Sequence, residues 1–316
     1  MLSQHPRVLS LFEFFNGLDM AERFRPGLQS GAELRSLIAA EQPFVNAVLR
    51  RGYPVSEVVY PFDRPGVRYA LGDPVPWLLV SMLPRISDAP DALFDALLVR
   101  AAEQPEQTMA DHYRELFAWL CKRQGKDLWI ERSGSSIEYL PALQQLYPEA
   151  RFLHLHRDGP EVALSMREHH AYRLPISLLY DVPLDDGTRV SEAGVFDVYA
   201  APEGQDLVSR ILASRPPPAP FGQYWSDQIV RGMAEVEKLS KDQYLEVHFE
   251  DLVELPEEVL RKIATFFELD VGENDWIASA AALVRGAPPT RVGSLSAEDQ
   301  GALVDACREG RRLLGR

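Results

Sequence analysis

Apolar positions recur at helical spacing between Glu33 and Arg51 (Leu34, Leu37, Ile38, Val45, Val48 and Leu49), and predict helix there. Helical patterning returns from Asp91 to Ala101 and from Met109 to Arg123, the latter closed by Gly125. The opening run Val8-Leu9-Ser10-Leu11-Phe12-Glu13-Phe14-Phe15 is apolar and amphipathic and breaks at Arg25-Pro26-Gly27. The stretch from Gly52 to Asp73 is punctuated by Pro and Gly and reads as loop. In the centre the period alternates. Asp127–Glu131 reads as a short buried strand, Ile137–Leu146 as helix, Ala150–His156 as strand and Gly159–His169 as helix. Strands alternating with helices of about ten residues imply right-handed crossovers and a parallel sheet. The expected class is therefore α/β, a central parallel sheet flanked by helices.

From Ala171 to Gly222 periodicity fades, and Arg215-Pro216-Pro217-Pro218-Ala219-Pro220 must be extended. Irregular stretches of that length usually form a lid or a binding loop. Order then returns as a helix over Tyr224–Leu239, a strand over Tyr244–Phe249 and a helix from Pro256 to Phe267. No internal repeat is present, so one domain over 1–316 with an irregular, lid-like insert at about 171–222 is expected.

Charge and composition narrow the function classes. The 316 residues carry 33 Lys+Arg against 47 Asp+Glu, a net −14, which disfavours the cationic surface that non-specific nucleic-acid binding needs. The longest apolar run, Val75-Pro76-Trp77-Leu78-Leu79-Val80, is far below the roughly 20 residues of a membrane helix. No leader-like segment opens the sequence. Cys121 and Cys307 cannot form a disulfide framework. A reduced, cytoplasmic protein is the expectation.

The strongest local signal is Phe152-Leu153-His154-Leu155-His156-Arg157-Asp158-Gly159-Pro160-Glu161-Val162-Ala163-Leu164-Ser165. A strand delivers an arginine at its tip, a Gly-Pro turn starts a helix, and a serine follows two turns in. Free N–H groups and the helix dipole make such a junction attractive to an anion. Arg157 could add a bidentate guanidinium contact and Ser165 a hydroxyl. An ion pair of Arg157 with Asp158 or Glu161 is the competing reading.

This segment resembles the 3′-phosphate-binding motif of the sulfotransferases, which use 3′-phosphoadenosine 5′-phosphosulfate (PAPS) as donor. Tyr224-Trp225 with its helix and Val247-His248-Phe249-Glu250-Asp251-Leu252 are similar to the family's later elements. The resemblance implies a P-loop NTPase-like topology and sulfonate transfer from PAPS to an acceptor hydroxyl, leaving adenosine 3′,5′-bisphosphate. The acceptor would be a hydroxyl-bearing small molecule, lipid or carbohydrate. Arg157 and Ser165 would then hold the 3′-phosphate. Phe249 would stand beside the nucleotide where relatives often have tyrosine, or be a core phenylalanine on its strand. Arg291, in Pro288-Pro289-Thr290-Arg291, would lie near a C-terminal loop that helps hold that phosphate, or be solvated.

Met1-Leu2-Ser3-Gln4-His5-Pro6-Arg7-Val8 with Glu13 resembles the stretch just after the family's 5′-phosphosulfate loop. That loop, of the Pro-Arg-Ser-Gly-Thr-Thr type, is expected upstream of Met1, and Met1 inside the helix it starts. Its loss would impair donor binding and make a non-catalytic nucleotide-binding protein the alternative. The similar string Arg132-Ser133-Gly134-Ser135-Ser136 lies ahead of the 3′-phosphate strand instead. Glu13 matches the glutamate that serves some family members as general base, and neighbouring phenylalanines would raise its pKa. Arg132 stands where relatives carry a lysine, implying a cationic clamp on the transferring sulfonate; a salt bridge with Glu131 or Glu138 is its alternative. A third reading is a zinc hydrolase built on His154, His156, His169 and His170. No HExxH-type or Cys-rich spacing supports it, and no metal is expected.

Overall fold

The computed structural model describes residues 1–271 and 276–316. Strand β1 (Val8–Phe12) is followed by β2 (Leu28–Gln29) and helices α1 (Gly31–Ala39), α2 (Pro43–Arg50) and α3 (Pro90–Ala102). Then come β3 (Gln107–Thr108), α4 (Met109–Arg123), β4 (Leu128–Arg132), α5 (Leu140–Leu146), β5 (Phe152–His156) and α6 (Gly159–Glu168). The remainder is α7 (His170–Leu179), α8 (Leu207–Ala213), α9 (Ala219–Val236), β6 (Tyr244–His248), α10 (Phe249–Glu254), α11 (Pro256–Phe266), α12 (Trp276–Ala281), α13 (Ala297–Ala306) and α14 (Arg308–Leu313). No helix among the described residues is long and apolar enough to cross a membrane.

The α/β class is as expected, with strands parallel and helices around them. The strands form two parallel ladders, β1 with β4 and β5 with β6, beside a short antiparallel pair, β2 with β3. The two parallel ladders share their apolar faces. Leu9, Leu11, Trp129 and Phe152 pack into one cluster. Val8, Leu128, Ile130, Leu153, Leu245 and Val247 pack into another, with the inner sides of α11 and α12. Successive side chains of a strand point to opposite faces, which sends these residues to two clusters on opposite sides, while Leu155 of β5 stays exposed.

Three expectations are corrected. Met1 is not inside the expected helix: Leu2–Gln4 is a single 3-10 turn, and Val8–Phe12 is a strand whose register pairs Val8 with Leu128 and Phe12 with Arg132. Its run of consecutive apolar residues suits a strand buried on both faces and cannot be told from a buried helix by period alone. The helical stretch from Glu33 to Arg51 is two helices, because Pro43 opens α2 after the break at Gln42. The 171–222 segment is not uniformly irregular. It holds α7, which tolerates Pro175 inside it, and α8, capped by the Asp206 carboxylate on the Ser209 N–H. Both are short, which is why their period is hard to see.

Helix α6 starts with Pro160 in its first turn and packs against α9. The approach is close: a Cβ on Gly159 would come within 2.5 Å of the Trp225 ring, so only glycine fits that junction. This contact fixes the direction in which α6 leaves the tip of β5.

Candidate active site

A cavity of about 400 Å³ lies where β4 and β5 end, the side on which open parallel sheets bind ligands. Its walls come from six places. The loop after β4 supplies Gly134 and Ser135, the tip of β5 supplies Arg157, and α6 supplies Val162, Ser165 and Met166. The junction of α6 and α7 adds His169 and Tyr172, α9 adds Trp225 and Gln228, and the loop after α2 adds Ser56 and Glu57.

Arg157 and Ser165 thus share one cavity, as the strand-tip reading requires. The Arg157 side chain is 21% exposed, with one guanidinium nitrogen 3.7 Å from a Glu161 carboxylate oxygen and its centre 5.3 Å from the Phe249 ring. The competing ion pair therefore exists, but it is long and leaves most guanidinium N–H groups uncommitted. Asp158 is paired instead with Arg311. The Ser165 hydroxyl is exposed and makes no hydrogen bond among the described residues. Phe249 is not on a strand; it begins α10 and lies beneath the Arg157 guanidinium.

Arg291 is not a solvated side chain. Its backbone N–H donates to Glu161 at 2.7 Å, and its guanidinium reaches the Glu161 backbone oxygen at 2.9 Å and carboxylate at 3.4 Å. Burial would raise the Glu161 pKa, but the Arg291 and Val292 N–H groups outweigh it and hold the group below its ordinary value. Glu161 thereby ties the C-terminal segment to the first turn of α6, while Arg291 itself stays outside the cavity lining.

Glu13 and Arg132 are neighbours at the ends of β1 and β4, where the Glu13 N–H donates to the Arg132 carbonyl at 2.8 Å. Neither lines the cavity. Glu13 lies behind Gly134, whose N–H donates to Glu13 Oε1 at 2.8 Å, while Asn16 donates to Oε2 at 2.7 Å. Its backbone takes φ +51, the left-handed region that non-glycine residues seldom occupy. Burial raises its pKa, against the pull of the Asn16 and Gly134 bonds. Arg132 donates to Ser10 Oγ at 3.2 Å and lies 4.3 Å from the Phe12 ring centre, as does Arg85. The alternative, a salt bridge of Arg132 with Glu131 or Glu138, does not form: Glu138 pairs with Arg231 and Glu131 faces the other way.

Sequence reasoning missed Glu131 and the Glu57–His169 pair. Glu131 Oε1 accepts from the Phe14 N–H at 3.1 Å, the Phe15 N–H at 3.4 Å and Ser133 Oγ at 2.5 Å. Loss of solvent pushes its pKa up to about 7, with a further push from Glu13. It clamps the turn that carries Glu13. His169 Nε2 is 2.8 Å from Glu57 Oε2 and 3.2 Å from Ser56 Oγ, pinning the 52–73 loop over the cavity. One signal was readable: His169 follows Ser165 by one helical turn, hence on the same face.

The fold is thus a parallel α/β layer with a cavity at its strand tips, one wall of it an arginine. The comparisons narrow it. A model of the sulfotransferase family matches residues 81–186 and 208–273, more than half the chain, and the chain belongs to that family. Sulfonate transfer is the activity of this family. The chain is similar to a sulfotransferase domain from the curacin biosynthetic pathway, at 14% identity over 87% of this chain and 94% of that one, TM-score 0.43. It is also similar to sulfotransferase STF9 from Mycobacterium avium, at 16% identity over 98% of this chain and 71% of that one, TM-score 0.43. No curated protein matches it in sequence.

Proposed function

We propose that this chain transfers a sulfonate from PAPS to an acceptor hydroxyl and releases adenosine 3′,5′-bisphosphate. The observation that carries the reading is the shared cavity wall of Arg157 and Ser165, a charged donor at the tip of β5 and a neutral donor two turns into α6. Arg157 with Ser165 grips the 3′-phosphate, and the α6 N-terminus adds its dipole. Phe249 supports the Arg157 guanidinium from below, and Arg291 acts on the site through Glu161. The acceptor oxygen attacks sulfur as the bond from sulfur to the bridging phosphate oxygen breaks, and we assign the acceptor proton to Glu13, which sits just behind the cavity wall at Gly134. Arg132 offsets negative charge on the sulfonate in flight. The donor already carries a good leaving group, so positioning and charge supply the rate. The chain works as one domain, with the 171–222 segment as cover on the acceptor side through Tyr172.

The test runs the reaction backwards with chromogenic reagents. Adenosine 3′,5′-bisphosphate and p-nitrophenyl sulfate should yield p-nitrophenol at a rate that Arg157→Ala suppresses. The alternative, nucleotide binding without transfer, predicts bisphosphate binding with no p-nitrophenol above background. Absence of bisphosphate binding would end both readings.

A further inference from the structure

The register of β5 against β6 places three imidazoles and a carboxylate together. His154 pairs with Glu246, and His156 pairs with His248. Residues two apart on a strand share a face, so all four side chains rise from one face of the ladder. The rings confirm it: His156 lies 4.6 Å from His248 and 5.0 Å from His154, centre to centre. His156 Nε2 is 2.7 Å from Glu246 Oε1, and one ligand atom from each of His156, Glu246 and His248 falls within 4.8 Å of the others.

We propose that His156, Glu246 and His248 form a binding site for one divalent transition-metal ion of the zinc type. Two imidazoles and a carboxylate are a ligand set such ions accept, whereas magnesium and calcium prefer oxygen donors alone. The His156 side chain is 2% exposed, and its Nδ1 has no partner among the described residues. Its proton therefore sits on Nε2, towards Glu246. On metal binding the ring proton exchanges to Nδ1, so the imidazole stays neutral and its Nε2 lone pair, with the Glu246 carboxylate, faces the ion.

One group opposes the site. The Arg316 guanidinium donates to His248 Nδ1 at 2.8 Å and to Glu250 at 2.6 Å, occupying one side as a fixed positive charge. Tetrahedral zinc holds its ligand atoms roughly 3.4 Å apart, so the widest pair must close by up to about 1.4 Å, the 2.7 Å His156–Glu246 contact must open, and Arg316 must give way. The site lies one residue before Arg157, but does not rest on the role given to Arg157.

The full chain, stripped with a chelator, is titrated with zinc chloride by calorimetry. One equivalent should bind. His156→Ala and His248→Ala should each weaken binding at least ~10-fold, as losing even an outer-shell partner can. Arg316→Ala should bind zinc more tightly, and His170→Ala, outside the cluster, should match the parent. Cobalt(II) gives a readout that needs no variant: visible bands of a nitrogen and oxygen site should appear at one equivalent and vanish on adding zinc. No uptake by the parent, or uptake unchanged in both histidine variants, overturns the proposal, as does cobalt without such bands.

Discussion

Replacing Arg157 with alanine separates the two roles this side chain could have. As a structural ion pair it contributes little: the contact to Glu161 is 3.7 Å long, and exposed or marginal pairs contribute about 0–1 kcal/mol. Glu161 would not be stranded, because the Arg291 and Val292 N–H groups and the Arg291 guanidinium remain on it. The fold should therefore lose about 1 kcal/mol or less, readable as a small shift in thermal midpoint. As a phosphate ligand Arg157 contributes far more. Losing a charged hydrogen bond costs about 1.5–3 kcal/mol, or roughly 10- to 150-fold in Kd. Calorimetry with adenosine 3′,5′-bisphosphate reads the second number and thermal unfolding the first. Arg157→Lys should recover only part of the affinity, because an ammonium cannot make the bidentate contact. Unchanged affinity in Arg157→Ala, or a stability loss matching the affinity loss, would refute the ligand role.

Three other outcomes follow from the geometry. Glu13→Gln should cut turnover strongly while leaving bisphosphate affinity near the parent value; near-normal turnover in the p-nitrophenyl sulfate assay would exclude it as base. Gly134→Ala would place a Cβ 2.8 Å from the Tyr172 hydroxyl and 3.6 Å from Glu13 Oε1, so Tyr172 must shift. A cost of about 1–3 kcal/mol by denaturant unfolding and a matching loss of activity are expected. Glu131 has its pKa raised from 4.5 to about 7, so the folded state holds its proton longer than the unfolded chain. Its contribution is greatest at low pH and is lost as pH rises from about 4.5 to about 7, by up to ~3 kcal/mol. Glu131→Gln should remove that slope from a pH series of unfolding midpoints, and an unchanged slope would show Glu131 ionised at ordinary pH.

The parts legible in the sequence were those with a clear period and a clear stop. Strands β4 and β5 with helix α6 lie where the alternation put them, because a short apolar run bounded by Gly-Pro has one local solution. Arg157 and Ser165 were legible for the same reason: two points on one strand–helix unit need no long-range information. Strand β1 was not, since its partner β4 lies more than a hundred residues away and only that pairing distinguishes strand from helix. Glu57 and Trp225 join the cavity from a loop and a distant helix, and no local pattern announces such encounters. Arg291 reads as solvated because its partner, Glu161, is 130 residues earlier.

The central claim is that Arg157 and Ser165 recognise a phosphate on the 3′ position of an adenosine nucleotide. Parallel calorimetric titrations with adenosine 3′,5′-bisphosphate and adenosine 5′-monophosphate isolate that one group. The bisphosphate should bind at least ~10-fold more tightly, one charged hydrogen bond's worth, and the double variant Arg157→Ala, Ser165→Ala should bring the two nucleotides to similar affinity. Equal affinities in the parent chain, or a preference that survives in the double variant, would contradict the account.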